Sequence, residues 1–249
     1  MPQPLLQRIA HHLHAHSWLL DRLLPHHCPI CSIEIWQKGL CAACWQKLAF
    51  IHPPFCNSCG KPLHIHGLVP ICRRCLDEKP QQGRIRSTIY YDDMARALLL
   101  PFKHGDRLDL APLLARLMMP AFEELITDDH LIIPIPLHLW RRLKRRYNQS
   151  TEIARHLCHL TDRQTQLSTT LLRRAHHTPS LARHNARKRQ IILKDAFSTH
   201  LPAHIEFTSR PILLIDDVMT TGATMQAAAH ALRKAGAKQI DKLSFARVL

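Results

Sequence analysis

The stretch that decides the fold runs Pro211-Ile-Leu-Leu-Ile-Asp-Asp-Val-Met-Thr-Thr-Gly-Ala-Thr224. Its first five residues are apolar and predict a buried strand over 211–215. Two carboxylates follow, and then a short, hydroxyl-rich loop that leads into a predicted helix ending before Gly236. Because open α/β sheets bind ligands beyond the carboxyl ends of their strands, this order predicts a ligand site.

The loop has the chemistry of a phosphate site. Backbone N–H groups and the positive end of the following helix attract an anion. Thr220, Thr221 and Thr224 add hydroxyl donors, and Gly222 lets the backbone approach a ligand closely. The Gly-rich patterns of Walker loops and of dinucleotide-binding folds are both absent from the sequence.

The two carboxylates, Asp216 and Asp217, need a different partner because they repel phosphate. Adjacent acids at a strand end fit sugar hydroxyls or a magnesium-bearing ligand, so the segment predicts a site for a phosphorylated ribose. An ordinary acidic turn with a threonine N-cap is the alternative, but it accounts for only one Asp and one Thr.

Strands and helices alternate along the rest of this region. The predicted strands cover 84–91, 131–135, 211–215 and 242–248, and the predicted helices cover 109–126, 150–160 and 224–235. This alternation is typical of an α/β fold with a mostly parallel sheet flanked by helices. Gly83 follows a polar linker, and we place the start of this domain, residues 84–249, just after it.

Eight of the nine cysteines form four Cys-x-x-Cys pairs. They are Cys28, Cys31, Cys41, Cys44, Cys56, Cys59, Cys72 and Cys75. The spacings predict two four-thiolate zinc sites in a small zinc-ribbon domain over 28–78. Sequential pairing is favoured, and a cross-braced arrangement that joins the first pair to the third remains open. Four thiolates leave no open position on the metal, so the zinc is expected to be structural.

Disulfides are the other use of clustered cysteines. The N-terminal residues lack the uninterrupted apolar core of a secretory signal, so we expect thiols in the cytoplasm. The ribbon segment has few large apolar residues, and metal must supply on the order of 10 kcal/mol of folding free energy per site. Gly60 directly follows a cysteine pair, where a positive φ helps to close the turn. Cys158, alone in a later apolar helix, is expected to be a core residue.

The 249 residues carry a formal net charge of +15, which predicts affinity for polyanions. No apolar run approaches the length of a membrane span, so we expect no integral membrane segment. Residues 1–27 hold apolar residues at helical intervals between Leu5 and Leu24 and predict an amphipathic helix. Packing of this helix on its own domain is favoured over a membrane-surface anchor.

The 211–224 stretch resembles the signature of type I phosphoribosyltransferases, which bind phosphoribosyl pyrophosphate (PRPP). With the four Cys-x-x-Cys pairs, the chain from about Cys28 to Leu249 is similar to the ComF family of competence proteins. The segment Phe102-Lys-His-Gly-Asp106 resembles the family's Lys-aromatic-x-Gly element, with shifted order. The segment Pro134-Ile-Pro-Leu-His138, with the basic run that follows and Tyr147-Asn-Gln149, resembles its pyrophosphate loop, and Ala196-Phe197 ends its variable hood.

This resemblance implies a type I phosphoribosyltransferase-like fold, with catalytic roles for Asp216 and Asp217. The residues that it implies in PRPP binding are Asp216, Asp217, Val218, Met219, Thr220, Thr221, Gly222, Ala223, Thr224, Lys103, Pro136, Leu137, Arg145 and Arg146. Magnesium would enter with PRPP. Natural competence is the implied role, with single-stranded DNA and competence-machinery proteins as partners in the cytoplasm.

Two interpretations of function remain. In the first, the protein is an Mg-PRPP-dependent transferase, and the five cations in 141–146 neutralise the diphosphate leaving group. In the second, it is a nucleic-acid-binding or PRPP-sensing regulatory module without transferase activity, and the same cations contact nucleic acid. The hood differs from the family pattern at Ser180 and Gln190, where relatives carry a glutamine and an asparagine, and this difference bears on the acceptor.

Overall fold

The structure, a computed structural model of the whole chain, describes residues 25–63, 70–77, 83–137, 147–174, 196–200 and 209–249. The chain divides into two compact units, residues 1–48 and 49–249. The predicted amphipathic helix from Leu5 to Leu24 lies outside the described residues. Across the described ranges, no helix has both the length and the apolar character needed to cross a bilayer.

The first unit contains a short hairpin and a short helix. Strand β1 (His26–His27) pairs antiparallel with β2 (Glu34–Ile35), and helix α1 covers Ala42–Gln46. Cys41 caps α1, since its Sγ accepts a hydrogen bond from the Cys44 N–H at 3.4 Å. One Cys-x-x-Cys turn lies between the strands and the other at the start of the helix, so metal binding would join the two elements.

The second unit is built on a parallel sheet. Its strands are β3 (Ile85–Tyr90), β4 (Leu131–Pro134), β7 (Ile212–Met219) and β8 (Ile240–Arg247), while β5 (Leu172–Arg174) and β6 (Phe197–Thr199) form a separate antiparallel pair. The sheet has the order β3-β8-β7-β4 with every pair parallel, which confirms the predicted α/β class. The predicted end of a strand at Ile215 is wrong, because β8 continues to pair with β7 as far as Met219.

Helices of the second unit surround this sheet. The short helix α2 (Arg73–Asp77) belongs to the cysteine-rich segment, and the longer helices are α3 (Asp93–His104), α4 (Ala111–Leu125), α5 (Gln149–Leu160) and α6 (Ala223–Lys234). Helix α3 is absent from the predicted elements; Pro101 lies inside it and breaks the helical sequence pattern. Asp92 stabilises its first turn by accepting a hydrogen bond from the Ala95 N–H at 2.9 Å.

Strands β7 and β8 form the centre of the core. Residues 212–215 of β7 and Leu243 and Phe245 of β8 are almost completely buried. Helix α4 packs on β3 and β8 and buries Met118 and Phe122. Each fully buried side chain of this size stabilises the fold by roughly 1.5–3 kcal/mol. The core therefore holds β7 in place, and with it the acidic residues near the end of this strand.

The free edge of β3 is covered by the chain that precedes it. Ile51 N–H donates to the Thr88 carbonyl at 3.0 Å, and Ile85 N–H donates to the Ser58 carbonyl at 2.8 Å. Gly60, between the second pair of zinc-ribbon turns, has a φ of 65°, and a Cβ atom there would lie 2.3 Å from the Ile85 carbonyl oxygen. Only glycine fits this close approach, which confirms the positive φ predicted for Gly60.

A buried arginine joins the cysteine-rich segment to α4. The Arg86 guanidinium lies 4.5 Å from the centre of the Phe55 ring and donates to the Asn57 carbonyl at 3.1 Å. On its other side it contacts the Glu124 carboxylate at 2.6 Å. These contacts and the edge hydrogen bonds join the described residues of 49–77 to the sheet within the second compact unit. The boundary at Gly83 stays a prediction.

Candidate functional site

The eight ribbon cysteines form two clusters in sequential order. One contains Cys28, Cys31, Cys41 and Cys44, and the other contains Cys56, Cys59, Cys72 and Cys75. Within each cluster the sulfur atoms lie within 4.8 Å of one another, and the Cys31–Cys41 and Cys59–Cys72 Sγ separations are 3.6 and 3.7 Å. Four sulfurs placed ~2.3 Å from a tetrahedral zinc ion are about 3.8 Å apart, so both clusters fit zinc. The predicted sequential pairing is confirmed.

Both zinc clusters have the features of structural sites. All eight cysteines are thiols rather than disulfides. Backbone amides donate to the sulfurs, as the Cys72 N–H does to the Cys56 Sγ at 3.3 Å. Four thiolates would fill the tetrahedral shell of a zinc ion bound in either cluster, which would leave no position for a substrate. Cys158 lies apart from both clusters, and its burial in the core raises the pKa of its thiol to about 12.

The candidate ligand site lies where β4 ends and β7 continues. Pairing between these strands stops at Pro134 and Ile215, although the Ile135 N–H still donates to the Ile215 carbonyl at 2.9 Å. Beyond this point β7 carries Asp216 and Asp217 while only β8 remains paired with it. The strand therefore extends past its predicted end at Ile215 and includes both acids.

Asp216 is held by hydrogen bonds to one of its two carboxylate oxygens. Its Oδ1 accepts from the Ser150 Oγ at 3.0 Å and from the Asp217 N–H at 2.9 Å. Burial of the carboxylate and the adjacent Asp217 charge raise the pKa of Asp216 to about 7, although the hydrogen bonds and Lys103 act in the opposite direction.

Asp217 is paired with a lysine from a different part of the chain. The Nζ of Lys103 lies 2.9 Å from the Asp217 Oδ1, and both side chains are largely buried. Lys103 belongs to the last turn of α3, where a cation also interacts favourably with the helix dipole. The structure thus brings together the two predicted acids and the predicted lysine, and it adds Ser150 to them.

The loop after β7 presents an uncapped helix end. Thr220 and Thr221 are exposed, and Gly222 adopts a φ of 76° at the N-cap of α6. The N-cap residue Gly222 has no side chain to cap this helix, and the N–H groups of the first turn of a helix have no partner within the helix itself. This arrangement supports the predicted suitability for a phosphate. The remaining predicted loop residues differ in exposure: Met219 and Ala223 are buried, and Val218 and Thr224 are half-buried.

Residues at the start of α5 form hydrogen bonds with the end of α3 and with the residue after β4. Asn148 caps the helix by accepting from the Ser150 N–H at 3.2 Å, and its Nδ2 donates to the Ile135 carbonyl at 2.9 Å. Tyr147 Oη donates to the Phe102 carbonyl, one residue before Lys103. These contacts fix Ser150 beside Asp216. Sequence reasoning missed Ser150, although the Asn-Gln-Ser sequence that starts a helix signals a capped N-terminus.

The other predicted ligand residues are placed only in part. Pro136 and Leu137 are half-buried and lie two and three residues after the end of β4, whose last residue Pro134 pairs with Ile215. Arg145 and Arg146, with the rest of the basic run from 141 to 146, lie outside the described residues. The same holds for residues 175–195 of the hood, which include Ser180 and Gln190.

Comparison with known proteins agrees with this architecture. The double zinc ribbon domain family matches residues 19–76, and the phosphoribosyl transferase domain family matches residues 130–246. The first range contains both cysteine clusters, and the second contains Ser150, the acidic pair and the loop before α6.

Three known proteins are similar to this chain over most of their length. Competence protein F of Haemophilus influenzae is 29% identical over 221 residues, which cover 87% of this chain and 93% of that protein. DNA utilization protein YhgH of Escherichia coli O157:H7 is 28% identical over 233 residues, covering 91% and 99%. Competence protein ComFC of Bacillus subtilis is 28% identical over 214 residues, covering 80% of each chain. The chain therefore combines a double zinc ribbon domain with a phosphoribosyl transferase domain, and over most of its length it is similar to competence protein F, YhgH and ComFC.

Proposed function

We propose that the protein binds Mg-PRPP at the end of β7 and acts as a phosphoribosyltransferase-family protein in natural competence. The observation that carries this proposal is the meeting of Asp216, Asp217 and Lys103 beside the uncapped start of α6. Carboxylates for sugar hydroxyls and N–H groups for a phosphate are the two features that a phosphorylated ribose requires.

Each group has a defined task in this proposal. Thr220, Thr221 and the first N–H groups of α6 bind the 5′-phosphate. The Oδ2 atoms of Asp216 and Asp217, which accept no hydrogen bond within the described part of the chain, accept from the ribose hydroxyls. Carboxylate oxygens also suit magnesium, which would neutralise part of the diphosphate charge. Lys103 keeps the acidic pair from repelling the anionic substrate.

Transfer would consist of one displacement. An acceptor attacks the ribose C1, the bond from C1 to the diphosphate oxygen breaks, and the electron pair leaves with the diphosphate. The chain contributes positioning and charge stabilisation, and no covalent intermediate with the protein is needed. The alternative function, a PRPP-sensing module, uses the same binding contacts without the displacement.

Calorimetry with Mg2+ and PRPP tests the binding site. The double variant Asp216→Asn/Asp217→Asn keeps side-chain size, and its PRPP affinity should fall at least 100-fold, since charge-assisted hydrogen bonds are worth roughly 1.5–3 kcal/mol each. A matched control is Asp128→Asn/Asp129→Asn, which removes two adjacent charges from an exposed turn before β4. Unchanged PRPP binding by the first variant would falsify the site.

The release of diphosphate distinguishes a transferase from a PRPP-sensing module. The protein is incubated with Mg2+ and PRPP, with and without candidate bases and nucleotides, and diphosphate release is followed. Release that depends on an acceptor supports the transferase. PRPP binding without release, under every acceptor, supports the sensing module.

We also propose that the first zinc ribbon contacts single-stranded DNA in the cytoplasm, with competence proteins as further partners. Trp36 is 100% exposed and Trp45 is 51% exposed. Stacking of a base on an exposed aromatic ring contributes roughly 1–3 kcal/mol to the binding free energy. The net charge of +15 and the names of the relatives support the same role.

Fluorescence titration with an oligothymidylate tests this contact. Trp36→Ala should weaken binding about 5- to 100-fold, while Leu76→Ala, which removes an exposed apolar side chain from the second unit, should leave it unchanged. Equal oligothymidylate affinity of the parent and the Trp36→Ala variant would show that the Trp36 ring does not contact DNA. A triple alanine variant of Lys144, Arg145 and Arg146 should also have a smaller salt slope, by about 0.7 for each phosphate that these residues bind in the parent.

A further inference from the structure

A second cavity lies on the cysteine-rich side of the phosphate loop. It has a volume of about 290 Å³, near the lower end of the range for small-molecule sites. One wall is formed by the second zinc cluster through Cys59, Cys72 and Cys75, and another by residues 219–222 of the loop. Its described lining residues include none of the acidic pair, Lys103 or Ser150, so it lies apart from the acidic part of the PRPP site proposed above and shares the loop residues 220–222 with that site.

The charge of this cavity is strongly positive. Four cationic side chains line it, and its described lining residues contain no Asp or Glu. The four are Lys61, Arg74, Lys242 and Arg247. A zinc ion with four thiolates carries two negative charges, which balance only half of them. A net surplus of positive charge therefore remains beside the loop.

The cations are arranged from the rim of the cavity to its interior. Lys61 and Arg74 are exposed, whereas Lys242 is 2% exposed. The Nε of Arg247 is buried and has no hydrogen-bond partner among the described residues, although its Nη1 donates to the Cys59 carbonyl. A buried N–H group without a partner costs free energy, and an anionic oxygen in the cavity would provide the missing acceptor.

The rest of the lining is suited to a flat organic group. Ile85, Met219, Met225 and Val248 contribute apolar surface, and Met side chains adapt well to aromatic rings. Ser58 and Gln226 add polar groups that can contact ring nitrogens or sugar hydroxyls. Cations at one part of the cavity and apolar surface at another match the two halves of a mononucleotide.

We propose that this cavity binds a nucleoside monophosphate group, either a free mononucleotide or the 5′-phosphorylated end of a DNA strand. The phosphate contacts Lys61, Arg74 and Arg247, and the base lies against Met219 and Met225. Because residues 220–222 belong to both sites, a nucleotide here lies against the same loop that is proposed to bind the PRPP phosphate.

Calorimetry on the zinc-loaded full-length protein tests the site. AMP and dCMP are titrated with and without saturating Mg-PRPP, and PRPP binding is measured separately. The nucleotide should bind in both conditions. Loss of nucleotide binding whenever PRPP is present, with competitive behaviour, would show that both ligands use the PRPP site and would overturn the second site. If the nucleotide binds and PRPP does not, the proposed PRPP function is contradicted and the nucleotide site is still supported.

Neighbouring arginines provide a matched pair of variants. Arg73 and Arg74 are both exposed in α2, and both flank zinc ligands, but only Arg74 lines the cavity. Arg74→Gln should weaken nucleotide binding at least fivefold and leave PRPP affinity within twofold, while Arg73→Gln should change neither. Lys61→Gln serves as a second rim variant. Equal effects of Arg73→Gln and Arg74→Gln would contradict the proposal.

Oligonucleotides distinguish the two sources of the nucleotide. A 5′-phosphorylated tetrathymidylate is compared with the same strand without the phosphate, and inorganic phosphate serves as a control. Arg74-dependent binding of the phosphorylated strand assigns the cavity to strand ends, and binding of AMP or dCMP alone assigns it to free nucleotides. Equal binding of both strands together with no binding of mononucleotides would reject the site.

Discussion

Lys103 Nζ lies 2.9 Å from Asp217 Oδ1, and this ion pair joins the last turn of α3 to β7. The lysine charge also opposes the rise of the Asp216 pKa. The charge of Lys103 therefore partly neutralises both carboxylates, which would otherwise repel each other and any phosphate-bearing ligand. The pair lies at the edge of the sheet where β4 has ended, and the Oδ2 atom of each carboxylate accepts no hydrogen bond from the described residues.

The first prediction concerns this lysine. Lys103→Met should weaken Mg-PRPP binding by about 10- to 100-fold, because it removes a charge-assisted interaction worth roughly 1.5–3 kcal/mol and leaves the acidic pair without its cation. Arg96→Met, which removes an exposed cation from the same helix, should bind PRPP like the parent. Calorimetry measures both, and equal decreases of affinity in the two variants would indicate a general charge effect.

A second prediction follows from the raised pKa of Asp216. An acid whose folded pKa is about 7 and whose unfolded pKa is about 3.9 makes its full contribution to stability below pH 3.9 and loses it as pH rises toward 7. Asp216→Asn has no such loss. Urea unfolding at pH 5 and pH 8 should show the variant gaining stability relative to the parent at the higher pH. A constant difference between the two pH values would argue against the raised pKa.

The third prediction separates the two zinc sites. Cys59→Ser and Cys31→Ser should each lose about one zinc ion per chain, measured by elemental analysis. Only Cys59→Ser should also weaken PRPP binding, because Arg247 contacts the Cys59 carbonyl and pairs in register with Met219, directly before Thr220. Cys31 belongs to the separate first unit. Comparable loss of PRPP affinity in both variants would mean that zinc acts on overall folding.

A fourth prediction concerns Arg86. Arg86→Met should lower the free energy of unfolding by about 2–3 kcal/mol, since it removes hydrogen bonds to Asn57 and Glu124 and the cation–π interaction with the Phe55 ring. Arg96→Met removes an exposed ion pair with Asp93 and should cost less than about 0.5 kcal/mol. Urea denaturation of the two variants checks the difference, and similar stability would show that Arg86 contributes no more than an exposed arginine.

A fifth prediction uses the buried acid Asp241. It accepts from His130 Nε2 at 3.1 Å and from Gln239 Nε2 at 3.0 Å, and together with the Arg84 N–H these contacts lower its pKa despite burial. A lowered pKa stabilises the fold above pH 3.9, and this stability is lost as pH falls through the folded pKa. Asp241→Asn should therefore lose more stability at pH 7 than at pH 3. An equal loss at both pH values would assign the effect to packing alone.

The sequence by itself was sufficient for features built from neighbouring residues. The Cys-x-x-Cys spacings determined the four cysteine pairs because each pair forms within one turn of chain, and the structure then decided that the pairs combine in sequential order. The segment from Ile212 to Ala223 contains the strand, the two acids, the loop and the start of the helix in one continuous stretch. The α/β fold class followed from the alternation of strands and helices along the chain. Local chemistry of this kind needs no distant partner.

Only the tertiary structure decided which distant residues meet. Lys103 and Ser150 reach the acidic pair from α3 and α5, and the packing of those helices on the sheet, which no local pattern encodes, brings them there. The second ribbon joins β3 because its chain covers an unpaired strand edge, and this places Cys59 against Arg247. Such contacts cannot be predicted from local sequence patterns, because burial and strand pairing act between residues that lie far apart along the chain.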